Sequence, residues 1–300
     1  MGMARIGIIG GTGLGDALTR GAGGKTVCAD TPYGPPSSAP VLANWEGVEV
    51  AFISRHGPGH RLNPSMVPYR ANIWALRQLG VSAIIASGAT GSLREDIEPG
   101  HLVLCDQIID RTFRRSSTFF DVEGVVAHVE LSDPCCTRLR SVLIEAGERV
   151  GTTIHHAGTY VCMEGPQFST RAESLMHRQW GGDVIGMTCM PEAKLAREAE
   201  LCYALIALPT DYDCWRPVDP QRVHHDLLAE ILGNLNRATE NAIALIREAL
   251  KLLCGPPMAC RCHEALKLAI WSDKKAISPE VRDRLEPLIG RYLTDKQGSP

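Results

Sequence analysis

Arg5-Ile6-Gly7-Ile8-Ile9-Gly10-Gly11-Thr12-Gly13 is the stretch whose reading decides the fold. A short β-branched run that breaks into glycines is a buried strand followed by a tight turn. The same pattern recurs downstream. Residues 48–54 form a second strand that ends at Arg55-His56-Gly57, and 83–86 form a third that runs into Ser87-Gly88-Ala89-Thr90-Gly91. Residues 102–109, 156–163, 184–188 and 203–208 read as further strands. Helical spacing fills the intervals. Residues 69–79 place Ile73, Leu76 and Leu79 on one face and stop at Gly80. Residues 137–150, 170–180 and 191–199 also read as helices. Ser169 or Thr170 caps the second of these, and Glu173 is placed for a capping box. After Trp215 the pattern is purely helical, with Leu228, Ile231, Leu232, Leu235, Ala238, Ala242, Leu245, Ile246 and Ala249 in one apolar stripe. Residues 278–293 add an amphipathic helix.

Strands alternating with helices imply an α/β fold with a largely covered sheet. There is no internal repeat and no low-complexity tract. Residues 30–40, 114–127 and 255–261 are loop-like, but none has the character of a linker. The expected organisation is a single domain over residues 1–253, with 254–300 as a C-terminal helical extension packed on it.

Composition narrows the function. Of 300 residues, 44% are hydrophobic and 22% charged, an ordinary globular mix. The net charge of −3 comes without a long basic block, which argues against binding nucleic acid by phosphate neutralisation. A small anionic ligand needs only a few placed cations and stays open. The first residues lack the pattern of a secretion signal, and no run is apolar for long enough to span a bilayer. A cytoplasmic protein without membrane partners is expected. Among eleven cysteines, most sit inside apolar runs, as Cys105 and Cys202 do, and read as small buried hydrophobes. The group Cys254, Cys260, Cys262 and His263 stands out. Its Cys-x-Cys step is tighter than the usual ligand gap and no second pair lies nearby in sequence, so no metal site is expected. A tight disulfide or free thiols remain, with free thiols favoured in a reducing cytosol.

In open α/β sheets, ligands bind beyond the carboxyl ends of the strands. Those ends supply residues 10–13, Arg55-His56, residues 87–91, Thr188 and residues 210–213. Glycine-turn amides, hydroxyls and an arginine together make a phosphate cradle. No Gly-Lys-Ser/Thr follows the first glycine turn, so it is not a P-loop, and Gly15 closes the dinucleotide spacing one residue early.

Taken together, Gly10-Gly11-Thr12-Gly13-Leu14, Arg55-His56-Gly57, Tyr69-Arg70-Ala71-Asn72, Gly91-Ser92-Leu93-Arg94, Glu164-Gly165-Pro166-Gln167-Phe168-Ser169, Met187-Thr188 and Thr210-Asp211-Tyr212-Asp213-Cys214-Trp215 resemble the methylthioadenosine phosphorylases. These belong to the trimeric purine nucleoside phosphorylase superfamily, and the resemblance runs collinearly from about residue 4 to about 250. It implies a twisted mixed central sheet flanked by helices. It also implies a pentosyltransferase of purine and methionine salvage that joins phosphate to S-methyl-5'-thioadenosine, releasing adenine and 5-methylthioribose 1-phosphate. Phosphate is then a co-substrate and no cofactor is expected. A homotrimer, or a dimer of trimers, is implied.

By the same resemblance, Thr12, Arg55, His56, Gly88, Ala89 and Thr188 surround phosphate. Gly88 stands where the family commonly has threonine, which predicts weaker phosphate binding rather than lost activity. Met187 forms the ribose floor and Phe168 stacks on the base. Asp211 protonates the leaving base at N7, with its pKa raised by an apolar pocket, and Asp213 accepts from an exocyclic amine. Relatives that act on 6-oxopurines carry glutamate at the place of Ser169 and asparagine at the place of Asp211, so this chain favours adenine. His128 matches a histidine lent by a neighbouring subunit, and Leu227 and Leu228 match apolar positions of the 5' pocket. His224 falls where the family has valine and where phosphorylases for free 5'-hydroxyls have histidine. Either it contacts the 5' group, or residues 216–221 shift the register. The alternatives are a purine nucleoside phosphorylase, a methylthioinosine phosphorylase, a silent nucleoside sensor and a water-using nucleosidase. Some archaeal members carry a C-terminal Cys-x-Cys taken as a disulfide.

Overall fold

A computed structural model describes residues 4–11, 14, 24–217, 224–257 and 259–293, the side chains of 224–228 excepted. Its centre is β1 (Arg5–Gly10), flanked in parallel by β4 (Val48–Ser54) and β5 (Val81–Ser92). On one side β3 (Val41–Trp45) pairs antiparallel with β4, and β2 (Lys25–Thr26) with β3. On the other side β5 branches. It runs parallel to β11 (Cys202–Asp211) over most of its length, while Gly91 and Ser92 pair antiparallel with β10 (Val184–Gly186). β9 (Thr159–Met163) and β7 (Gln107–Arg111) continue beyond β10, and β6 (Leu102–Cys105) and β8 (Ile154–His155) beyond β11. The result is a mixed sheet of eleven strands among the described residues.

Strand alternation divides the core between the two faces. Ile84 and Ala86 join α1 (Tyr69–Gln78), α4 (Cys189–Glu198) and α6 (Pro279–Leu293) on one face. Ala83 and Ile85 join α2 (Thr137–Gly147) and α5 (His224–Leu253) on the other. Gly7 lets α1 approach β1, because a Cβ there would sit 3.0 Å from the Val81 side chain and 3.2 Å from that of Leu76. The buried stripe of α5 runs through Leu235, Ala238, Ala242, Leu245, Ile246 and Ala249. α3 (Arg171–Gln179) opens with the expected capping box between Thr170 and Glu173. Residues beyond 253 share the main core, through Leu266, Ile277, Leu285, Leu288 and Ile289.

The structure corrects the sequence reading in three places. The strand expected over 83–86 does not end there: β5 runs on through residues 87–91, held by pairing to Ile206–Asp211. The strand expected over 102–109 breaks at Asp106, which exchanges hydrogen bonds with Gly158: its amide donates to the Gly158 carbonyl, and its Oδ1 accepts from the Gly158 amide. β3 was not expected. It is joined to β4 by Glu46 and Gly47, both with positive φ (50° and 81°), the primed-turn geometry that suits a hairpin.

Candidate active site

Parallel pairing brings several strand ends level with one another. Gly10 is opposite Ser54, and Ala86 is opposite both Ile9 and Leu205. Gly11, Arg55 and Ser87-Gly88 therefore meet. A Cβ on Gly11 would lie 3.2 Å from Arg55 Nη1 and 3.2 Å from the Ser87 carbonyl. A Cβ on Gly88 would lie 3.3 Å from Thr188 Oγ1 and 3.8 Å from Arg55 Nη1. The two glycines thus leave open a space rimmed by a guanidinium and a hydroxyl. Ala89 is exposed although its neighbours Gly88 and Thr90 are buried, so solvent reaches β5 at this point. Thr188, itself buried, stands at the N-terminus of α4.

Arg55 is 0% exposed. Its Nε and Nη2 donate to Glu192 Oε1 and Oε2 at 2.7 and 2.9 Å, and its Nη1 donates to the Ser87 carbonyl at 2.7 Å. The Tyr203 hydroxyl donates to Glu192 Oε2 at 3.1 Å. Burial acts to lower the guanidinium pKa, but Glu192 beside it more than offsets this and keeps Arg55 charged. The sequence reading missed Glu192. Its consequence is that the cradle's arginine already has a counter-ion, while only three of its five N–H donors are used by these bonds. The adjoining His56 has its pKa lowered to about 4, by burial first and then by the charge of Arg55. Its Nδ1 lies 2.8 Å from the Leu62 carbonyl, so the neutral ring donates there and keeps a lone pair on Nε2. His60 stacks on it with ring centroids 4.2 Å apart.

The end of β11 carries the acids. Asp211 accepts from Thr210 Oγ1 at 2.7 Å and from the Asp213 amide at 3.0 Å. Burial raises its pKa, and the Asp213 carboxylate adds to the rise against those two donors. Burial also raises the pKa of Asp213, whose Oδ2 is enclosed without a hydrogen-bond partner among the described residues. Asp213 has φ of 46°, a conformation that aspartate tolerates better than most residues. A Cβ on Gly91 would sit 3.1 Å from that of Asp213, so the glycine lets this turn pack on β5. Asn234 of α5 donates to the Thr210 carbonyl, and Trp215 Nε1 to that of Ser92, which fixes the segment at both ends. Cys214 Sγ lies 3.2 Å from the Ser169 carbonyl and ties in the loop that bears Ser169 and Phe168.

Met187 is half-buried beside Thr188, and its thioether fills the space a side chain on Gly165 would need. A second residue missed by the sequence reading holds it there. Arg115, its side chain 1% exposed, donates to the Met187 and Met190 carbonyls at 2.6 Å each and pairs with Glu164 at 3.3 Å. Phe168 is 84% exposed. His128 contacts the C-terminal segment. It is exposed, its ring lies edge-on to Trp271 with centroids 4.9 Å apart, and its amide donates to the Ala269 carbonyl. Thr12 and the side chains of His224, Leu227 and Leu228 lie outside the described residues.

A space rimmed by Arg55, Thr188 and backbone, with carboxyls of raised pKa on a neighbouring strand end, can hold an oxyanion and supply a proton. Residues 5–251 match the model of the phosphorylase superfamily. The chain belongs to this superfamily. Among its relatives, the S-methyl-5'-thioadenosine phosphorylase of Geobacter sulfurreducens is 47% identical over 290 residues, covering 96% of this chain and 99% of that protein. The S-methyl-5'-thioadenosine phosphorylase of Thermofilum pendens is 47% identical over 270 residues, covering 89% and 98%. A methylthioadenosine phosphorylase from an Antarctic soil metagenomic library superposes with a TM-score of 0.86 at 47% identity, covering 96% of this chain and 99% of the other. The Schistosoma mansoni methylthioadenosine phosphorylase in complex with adenine gives 0.76 at 36% identity, covering 83% and 92%.

Proposed function

We propose that this chain cleaves S-methyl-5'-thioadenosine with phosphate, yielding adenine and 5-methylthioribose 1-phosphate. The observation that carries the reading is the meeting of Arg55, Gly88 and Thr188 around one space, with Asp211 on a strand that pairs with β5. A phosphate oxygen attacks C1' of the ribose as the bond from C1' to N9 breaks. Asp211, its carboxyl pKa raised by burial, gives a proton to N7 of the leaving base and regains the one that phosphate loses on becoming an ester. Arg55, Thr188, Thr12, His56 and the backbone of Gly88 and Ala89 bind phosphate, and no cofactor takes part. Asp213 accepts from the exocyclic amine, Ser169 lines the base site, Met187 floors the ribose and Phe168 stacks on the base. Arg115 is a positioning residue that sets the Met187 backbone.

The 84% exposure of Phe168, and the exposure of His128, whose ring contact is with Trp271, support a site completed by a second copy, within a homotrimer or paired trimers. No helix of the described residues is long and apolar enough to cross a membrane. A cytoplasmic setting is part of the same reading.

The test follows base release from methylthioadenosine, adenosine, inosine and methylthioinosine with and without phosphate. Fastest turnover of methylthioadenosine, dependent on phosphate, is expected. Preference for adenosine or inosine would place His224 in the 5' pocket and move the assignment to a purine nucleoside phosphorylase. Turnover without phosphate would make the chain a nucleosidase, and binding without turnover a sensor.

A further inference from the structure

Four cysteines from three parts of the chain converge at the start of the C-terminal segment. Cys136 is the N-cap of α2, Cys202 opens β11, and Cys260 and Cys262 flank Arg261. Their sulfurs all lie within 4.8 Å of one another; three of the four residues are buried and Cys260 is half-buried. We propose that this cluster binds one structural zinc ion, which clamps the C-terminal segment to the sheet. The site is separate from the phosphorolysis site and does not depend on that reading.

Geometry favours one shared ion over separate bonds. Four thiolates at about 2.3 Å from zinc form a tetrahedron whose six edges are about 3.8 Å. Cys136 Sγ and Cys260 Sγ are 3.6 Å apart, close to such an edge. Two disulfides would require two short pairs, each about 2.05 Å, and would place no demand on the other four distances. Here all six are short. The ligands also have outer support. The Leu139 amide at the N-terminus of α2 points at Cys136 Sγ from 3.5 Å, where the helix favours a thiolate. His263 Nε2 lies 3.5 Å from Cys202 Sγ and 3.0 Å from the Ser82 carbonyl. Arg138 donates to the Ala259 carbonyl at 2.9 Å, next to Cys260. Binding forms four zinc–sulfur bonds and releases the thiol protons to solvent, with no change of oxidation state.

The sequence reading set a metal aside because no second pair of ligands lies near the Cys-x-Cys step. That pair exists, but Cys136 and Cys202 reach it only through the fold. Leu266 enters the core just after the cluster, and Ala269 and Trp271 then bond to residues 126–128. The clamp therefore stands immediately before the segment that props the loop bearing His128.

The full chain, expressed in zinc-supplemented medium and purified without chelator, is analysed for metal by plasma mass spectrometry. Its thiols are counted after denaturation without reductant. About one zinc per chain is expected, with all eleven thiols titrating. Cys260→Ser and Cys262→Ser should lose the metal, while Cys254→Ser, exposed and outside the cluster, should keep it. Should the serine variants not fold, the wild type still decides. Mercurial titration of its thiols should release the zinc, and cobalt exchanged into the site should show the visible bands of a tetrahedral thiolate complex. Folded protein with eleven free thiols and no zinc would overturn the proposal. So would a count short by four thiols with no zinc, which would make the cluster two disulfides.

Discussion

Glu192→Gln separates the two tasks of the buried ion pair. Arg55 and Glu192 are 0% and 1% exposed and are joined through two hydrogen bonds, at 2.7 and 2.9 Å. Glutamine keeps the shape and one acceptor but removes the charge. Leaving one member of a buried pair uncompensated costs about 3–5 kcal/mol. At about 2–4 °C per kcal/mol, the value for domains of about 150–250 residues, the thermal midpoint should fall by about 6–20 °C in phosphate-free buffer. Phosphate should then recover more stability in the variant than in the wild type. In the wild type the dianion meets an arginine that already has a counter-ion. In the variant it supplies the missing one, and linkage converts tighter binding into a larger midpoint shift at equal concentration. The assay is a thermal melt across a phosphate series, with chloride at matched ionic strength as control. A phosphate-induced shift in folded Glu192→Gln equal to or smaller than that of the wild type would refute the reasoning. It would mean that Glu192 orients Arg55 for phosphate more than it neutralises it.

Asp211→Ala should reduce turnover of adenine nucleosides by about 10²–10⁴-fold, the usual contribution of a general acid. Nucleosides with activated leaving groups should be hurt less, and equal losses on both would argue against Asp211 as the acid. Gly88→Thr should lower KM for phosphate about tenfold, because one added hydrogen bond to a charged group contributes about 1.5–3 kcal/mol and part of that is spent on the 3.3 Å approach to Thr188. Gly88→Ala, which adds the Cβ without the hydroxyl, should not lower it. His56 has a folded pKa of about 4 against 6.5 when unfolded, so the unfolded chain takes up the proton first as pH falls. Its contribution is present above pH 6.5 and is lost as pH falls toward 4, by at most about 3 kcal/mol, and His56→Asn should flatten that part of a stability–pH curve.

What was legible in the sequence was local. Residues 48–54 are a short apolar run that ends in Arg55-His56-Gly57, and β4 spans Val48–Ser54. Thr170 and Glu173 have capping-box spacing, and the box forms. The residues that end strands named most of the candidate site because parallel pairing aligns such ends. Pairing itself was not legible. Ser87-Gly88-Ala89-Thr90-Gly91 has the composition of a loop, yet residues 206–211 of β11 pair alongside it and keep it in the sheet. The hairpin turn at Glu46-Gly47 did carry a signal, a glycine between two apolar runs, and could have been found.

Glu192 was illegible for a different reason. It lies 137 positions from Arg55, and nothing beside it in sequence reports a guanidinium. A hint existed in an acid set among Cys189, Met190, Pro191, Ala193 and Leu195, all of which are buried. An acid on the apolar face of a helix needs a partner, since an unpaired buried charge is too costly to persist. The same logic applies to Arg115, a cation in a loop whose side chain is enclosed by carbonyls and Glu164. These two charges do not enter through any strand-end motif, yet one is the counter-ion of Arg55 in the candidate anion cradle and the other holds the Met187 carbonyl. The motif residues provide the donors. The distant buried charges fix where those donors point and how much net charge they present, so a motif that is intact in sequence does not by itself specify the strength of the site.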